Sequence, residues 1–110
     1  MMVGIFIKIK YNIIMKQIWK FKLEITDEQI IDLPKSAKLL TIQMQGENPV
    51  LWVIVKDGIV PYCKRQRKFV TFGTGITLPE RGLPPSYRMR KYIGTYQKDG
   101  FVGHVFEEIQ

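Results

Sequence analysis

The residues best equipped to meet a ligand run from Lys64 to Gly75. They read Lys64-Arg65-Gln66-Arg67-Lys68, then Phe69-Val70-Thr71-Phe72, then Gly73-Thr74-Gly75. Four cations in five residues lead into a short apolar run that ends on a glycine-flanked turn. Cations beside backbone amides that a ligand can approach closely make an anion nest, and glycine permits the approach. The glycines do not form a P-loop, because no Lys-Ser/Thr follows at the required spacing, and they open no helix as a dinucleotide fingerprint would. Their competing reading is a β-turn that needs glycine. A second cationic group follows at Tyr87-Arg88-Met89-Arg90-Lys91. The expected anion contacts are Arg65, Arg67, Lys68, Thr74, Arg88 and Arg90, with Gly73 and Gly75 shaping the turn and Tyr87 stacking on a base. Arginines are the sharper candidates, since a guanidinium grips phosphate through two parallel hydrogen bonds.

Other chemistry is thinly represented. His104 is the only histidine and Cys63 the only cysteine. One of each leaves no Cys/His zinc site within a chain and no intramolecular disulfide. His104 shares a strand face with Val102 and Phe106, while Glu107 falls on the opposite face. A general base needs a nearby nucleophile and an orienting partner, so a structural histidine is the default reading. Cys63 serves as a nucleophile only if the fold brings it to His104. The carboxylates are scattered over turns, and no pair has a spacing suited to acid–base work. No catalytic residue, metal or cofactor is assigned, and the chain is expected not to be an enzyme.

The net charge of +7 is unevenly distributed. Residues 1–60 carry +2, residues 61–91 carry +7 and residues 92–110 carry −2. The middle third therefore accounts for the whole excess, which favours anionic partners: free nucleotides, nucleic acid or phospholipid headgroups. A solvated, solubilising surface is the plain alternative. With 45% apolar and 25% charged residues, the composition matches a single globular domain that buries about two-thirds of its unfolded surface. A lone cysteine fits a reducing compartment.

The elements that position these groups read as strands. Residues 1–14 are apolar, but Lys8 and Lys10 interrupt them well short of the roughly 18 residues a membrane span needs. They are a strand or, the favoured reading, an extension upstream of Met15, leaving 15–110 as one β domain. Trp19, Phe21, Leu23 and Ile25 alternate with Lys20, Lys22 and Glu24, a half-buried strand with a charged outer face. Gln29 to Leu33 forms another strand, closed by Pro34, and Leu40, Ile42 and Met44 alternate in a third. Val50 to Val55 is continuously apolar, which predicts a central strand covered on both faces. Asp57-Gly58 is the strongest hairpin signal. Leu78 to Lys91 reads as a long loop, Tyr92 to Gln97 as a strand, Lys98-Asp99-Gly100 as a turn and Phe101 to Phe106 as the last strand. Turns every ~8–12 residues predict an all-β fold, a small antiparallel sandwich or partly open barrel of about six to eight strands.

Three stretches carry a resemblance. They are Ile18-Trp19-Lys20-Phe21-Lys22-Leu23-Glu24-Ile25-Thr26-Asp27-Glu28-Gln29, the turn Leu33-Pro34-Lys35-Ser36-Ala37-Lys38, and Tyr92-Ile93-Gly94-Thr95-Tyr96-Gln97 with Phe101-Val102-Gly103-His104-Val105-Phe106-Glu107. From Met15 to Glu107 the chain resembles a group of small uncharacterised proteins of tailed bacteriophages and prophages. Relatives begin near Met15, share a glycine-bounded turn at Gly73-Thr74-Gly75, and tend to carry a bulky aromatic where this chain has Gly103. The resemblance implies a phage or prophage setting and the cytoplasm of a bacterial host, and brings no activity with it. The resulting expectation is a phage-encoded, non-enzymatic protein that binds a small phosphorylated ligand of nucleotide type and so counters host defence, with no membrane association. A homo-oligomer is expected. Two alternatives stand beside it: a nucleic-acid-binding accessory protein and a virion or protein-interaction module.

Overall fold

The alternation of apolar and charged residues resolves into seven strands. The structure, a computed structural model, describes residues 15–56, 63–78 and 89–109. The strands are β1 (Lys16–Lys22), β2 (Glu28–Pro34), β3 (Lys38–Gln45), β4 (Asn48–Lys56), β5 (Lys64–Gly73), β6 (Met89–Lys98) and β7 (Phe101–Ile109). They form two antiparallel sheets, a three-stranded one in the order β1-β4-β3 and a four-stranded one in the order β2-β5-β7-β6. The fold is thus all-β and sandwich-like, with two sheets where a barrel would have one closed on itself. Among the described residues none is helical, and no helix is long and apolar enough to cross a membrane.

Turn chemistry sets the two hairpins. Gly46 has φ of 60° at the first position of the two-residue β3–β4 loop, as a type II′ turn requires. Asp99 and Gly100 have φ of 49° and 82° between β6 and β7, the type I′ pattern favoured by Asp-Gly. The expected turn at Lys98-Asp99-Gly100 is present. Asp57-Gly58 lies outside the described residues.

Leu33, Ile42, Leu51, Val53, Phe69 and Val105 are each at most 1% exposed and fill the space between the sheets. Two bulges adjust which side chains enter it. The pairing of β3 with β4 shifts between Leu39 and Thr41. Leu40 is consequently 42% exposed, while Leu39 packs on the core, so the simple Leu40/Ile42/Met44 alternation fails at its first member. The pairing of β6 with β7 shifts between Tyr92 and Gly94. The bulged strands β3 and β6 then approach one another. A Cβ on Gly94 would lie 2.8 Å from the Ile42 amide nitrogen, so only glycine fits at this seam.

Three further expectations change. Ile25 lies beyond β1 and is half exposed, because the strand ends at Lys22. In β4, Leu51, Val53 and Val55 are buried, but Trp52 and Ile54 on the other face are only half-buried. On that outer face the Lys20 Nζ stands 6.0 Å from the Trp52 ring centroid, and no second layer covers it among the described residues. The last three residues of the long loop, Met89–Lys91, belong to β6.

Candidate functional site: a basic notch at the end of β7

β5 carries the cationic run, and its pleat divides it. Successive side chains of a strand point to opposite faces, so Arg65 and Arg67 share the inner face with buried Phe69, while Lys64, Gln66 and Lys68 take the outer face. On the inner face, Arg67 is occupied by structure. Its Nε and Nη2 donate to Glu107 Oε2 and Oε1 at 2.6 and 2.8 Å, and its Nη1 donates to the Ala37 carbonyl at 3.0 Å. A bidentate pair of this kind is short and strongly directional. It ties β5 to β7 and to the β2–β3 connection, where the chain passes from one sheet to the other.

On the outer face, Lys68 Nζ lies 3.3 Å from both Glu28 Oε1 and Glu108 Oε1. Hydrogen bonding to Glu108, then to Glu28, raises the Lys68 pKa above the ordinary lysine value. Arg90 Nε is 3.6 Å from Glu108 Oε2, and its guanidinium stands over the Phe72 ring, 5.3 Å from the centroid. Glu108 thus joins the two cationic segments, Lys68 from one and Arg90 from the other.

Arg65, Arg67, Lys68 and Lys91 meet in a notch where β7 runs out between β5 and β6. Gln66, Glu107, Glu108 and Ile109 complete its lining, and it encloses about 390 Å³. Four cations face two carboxylates there. Arg65 and Lys91 are exposed and make no ion pair among the described residues, so their charge is left available to an anion.

The expected site is otherwise dispersed. Gly73 and Arg90 line a second hollow of about 400 Å³ on the outer face, with Val70, Phe72, Ile76 and Thr77. Thr74 and Gly75 sit in the exposed turn that follows β5. That turn is seven residues from Arg67, roughly 23 Å along a strand, too far to share a small ligand. Its geometry follows the turn reading. The Ile76 amide donates to the Gly73 carbonyl at 3.2 Å and Gly75 has φ of 85°, a type II turn with glycine at its obligatory position. Tyr87 and Arg88 lie outside the described residues.

The turn is instead fastened to His104. Thr74 Oγ1 is 2.7 Å from His104 Nε2, and His104 Nδ1 is 3.0 Å from Thr95 Oγ1, which bonds in turn to the Tyr92 hydroxyl. His104 therefore has a partner on each ring nitrogen, on the same outer face as Phe106 and opposite to Glu107, as strand alternation predicts. Cys63 is exposed at the far end of β5, about 30 Å of strand from the residue that pairs with His104, so the two form no dyad. No group of three or more His, Cys, Asp or Glu suited to a metal ion occurs among the described residues.

Sequence reasoning missed the acids. The net charge of −2 over residues 92–110 was the available signal that the last strand neutralises the basic one. It also preferred Arg88 and Arg90 to Lys91 as ligand contacts, because a guanidinium grips phosphate through two parallel hydrogen bonds.

Fold and site together define a small two-sheet β protein with a cationic notch at the end of one strand. The chain belongs to the family described as Domain of unknown function (DUF7352), whose model matches residues 15–110. No curated protein and no solved structure matches it.

Proposed function

We propose that the protein is a non-enzymatic binder of a small phosphorylated ligand, held in the notch at the end of β7. The observation that carries this reading is the convergence of Arg65 from β5 and Lys91 from β6 on one cavity, neither being neutralised among the described residues. A volume of about 390 Å³ lies within the ordinary range for small-molecule sites. Arg65 supplies the forked contact to phosphate and Lys91 a point charge. Lys68 adds charge from the rim, while Arg67 is held by Glu107 and shapes the floor. No aromatic lines the notch among the described residues, so recognition rests on phosphate rather than on base stacking.

The resemblance to proteins of tailed phages and prophages supports placing this binding in the cytoplasm of a bacterial host. Removing a nucleotide signal of host defence is the role we assign to it.

Thermal-shift titration with inorganic phosphate, mononucleotides and cyclic dinucleotides tests the reading. A saturable rise in Tm with at least one of them is expected, and it should disappear in Arg65→Ala/Lys91→Ala. Absence of any shift in the wild type, or an unchanged shift in the double variant, overturns it. Binding of oligonucleotides of any sequence with a steep salt dependence would assign the notch to nucleic acid instead.

A further inference from the structure

Four strands end a sheet, but they end it differently. β3 and β6 approach each other at the Ile42–Gly94 seam, which closes that side of the sandwich. β1 and β2 lie at the opposite ends of the two sheet orders and are joined by residues 23–27. Each has a hydrogen-bonded neighbour on one side only among the described residues. Among the described residues, one side of the sandwich therefore presents two open edges.

These edges carry opposite charge. The outward side chains of β1 are Lys16, Ile18, Lys20 and Lys22, and those of β2 are Glu28, Ile30 and Asp32. Ile18 and Ile30 sit mid-strand and are 64% and 61% exposed. Large apolar side chains in the middle of an open edge invite another strand. An antiparallel pairing that sets Ile18 opposite Ile30 also sets Lys20 opposite Glu28 and Lys16 opposite Asp32. All three outward pairs match in a single register.

Self-pairing does not share this property. With Ile18 opposite itself, β1 places Lys16 against Lys20. With Ile30 opposite itself, β2 places Glu28 against Asp32. Like charges directly opposite are destabilising.

We infer that the open side binds a second copy of this chain, β1 of one protomer adding to β2 of its partner. In an isologous contact residue i meets j and j meets i, so a twofold arrangement joins both edges at once. Each composite sheet then holds three strands of one protomer and four of the other. Neither edge lines the notch, and the inference stands apart from the anion-binding reading.

Light scattering on the purified chain is the test, with circular dichroism as the control for folding. The wild type should be a dimer that dissociates as salt is raised, since exposed pairs are screened. Lys16→Glu and Asp32→Lys should each be monomeric and folded, and Lys16→Glu/Asp32→Lys in one chain should recover the dimer. A wild type that stays monomeric at its highest soluble concentration overturns the inference, as does a folded double variant that remains monomeric. Should a variant fail to fold, amide exchange on the wild type decides. Protection of β1 and β2 amides should grow with protein concentration, and concentration-independent exchange there overturns the pairing.

Discussion

Arg67 and Glu107 offer the sharpest test of how this fold treats buried charge. Their side chains are 13% and 8% exposed, and the pair is bidentate with a third hydrogen bond to Ala37. Replacing Arg67 by Ala strands the Glu107 carboxylate in a site with little water, and leaving one partner of a buried pair alone costs about 3–5 kcal/mol. For a domain of this size each kcal/mol moves Tm by roughly 4–8 °C, so Arg67→Ala should lower Tm by at least roughly 12 °C. Removing both charges behaves differently. Replacement of a buried pair by apolar groups of similar volume is often neutral or stabilising by about 1–4 kcal/mol, so Arg67→Met/Glu107→Leu should melt near the wild type or above it. Calorimetric melts of the three proteins at neutral pH give the comparison. A loss below about 1 kcal/mol for Arg67→Ala would refute the argument, because the pair would then behave as an exposed one. A double variant no more stable than Arg67→Ala would refute it too, since removing the stranded carboxylate would then have recovered nothing.

Further outcomes follow from the seam and from Tyr96. Gly94→Ala forces a Cβ to 2.8 Å from the Ile42 amide nitrogen and should cost about 1–3 kcal/mol through overpacking, read from urea midpoints. Gly103→Ala pushes on the Tyr96 ring at 2.8 Å and should also destabilise, by an amount set by how far the ring can yield. Tyr96 is 2% exposed, and its hydroxyl has no hydrogen-bond partner among the described residues. Tyr96→Phe should therefore stabilise by about 1 kcal/mol in the same assay, by removing an unpaired buried group. Burial raises the Tyr96 pKa, so the unfolded chain ionises first as pH climbs past about 10, and stability falls from there. Lys68 works in the same direction. Its raised pKa gives a contribution complete below the unfolded lysine value and lost as pH rises through the folded one. Melts taken at increasing alkaline pH should show a loss in the wild type that is smaller in Tyr96→Phe.

What was legible in the sequence is what depends on local pattern. The period-2 run around Trp19, the continuous apolar run from Val50 to Val55 and the Asp-Gly turn at 99–100 lead to the observed strands because pleat and turn chemistry are set by near neighbours. The exposure of Leu40 and the place of Gly94 were not legible, since a bulge is fixed by the partner strand and by the sheet lying across it. The same holds for the cations. Arg65 and Arg67 read as one patch with the glycine turn because they adjoin it in sequence, but a ten-residue strand carries the turn away from them. Only the antiparallel pairing of β5 with β7 brings Glu107 and Glu108 alongside, a contact spanning about forty residues that no local rule reports.

The seam between β3 and β6 has a kinetic meaning. β3–β4 and β6–β7 are the two adjacent-strand hairpins of the fold, whereas β1–β4, β2–β5 and β5–β7 close long stretches of chain. Hairpins form within microseconds and distant pairings wait on loop closure. Ile42 and Gly94 lie where one hairpin meets the other, so docking of these two local units brings parts of both sheets together. Substitutions there are expected to slow refolding, and changes in β1 and β2, whose pairings span long stretches of chain, chiefly to speed unfolding.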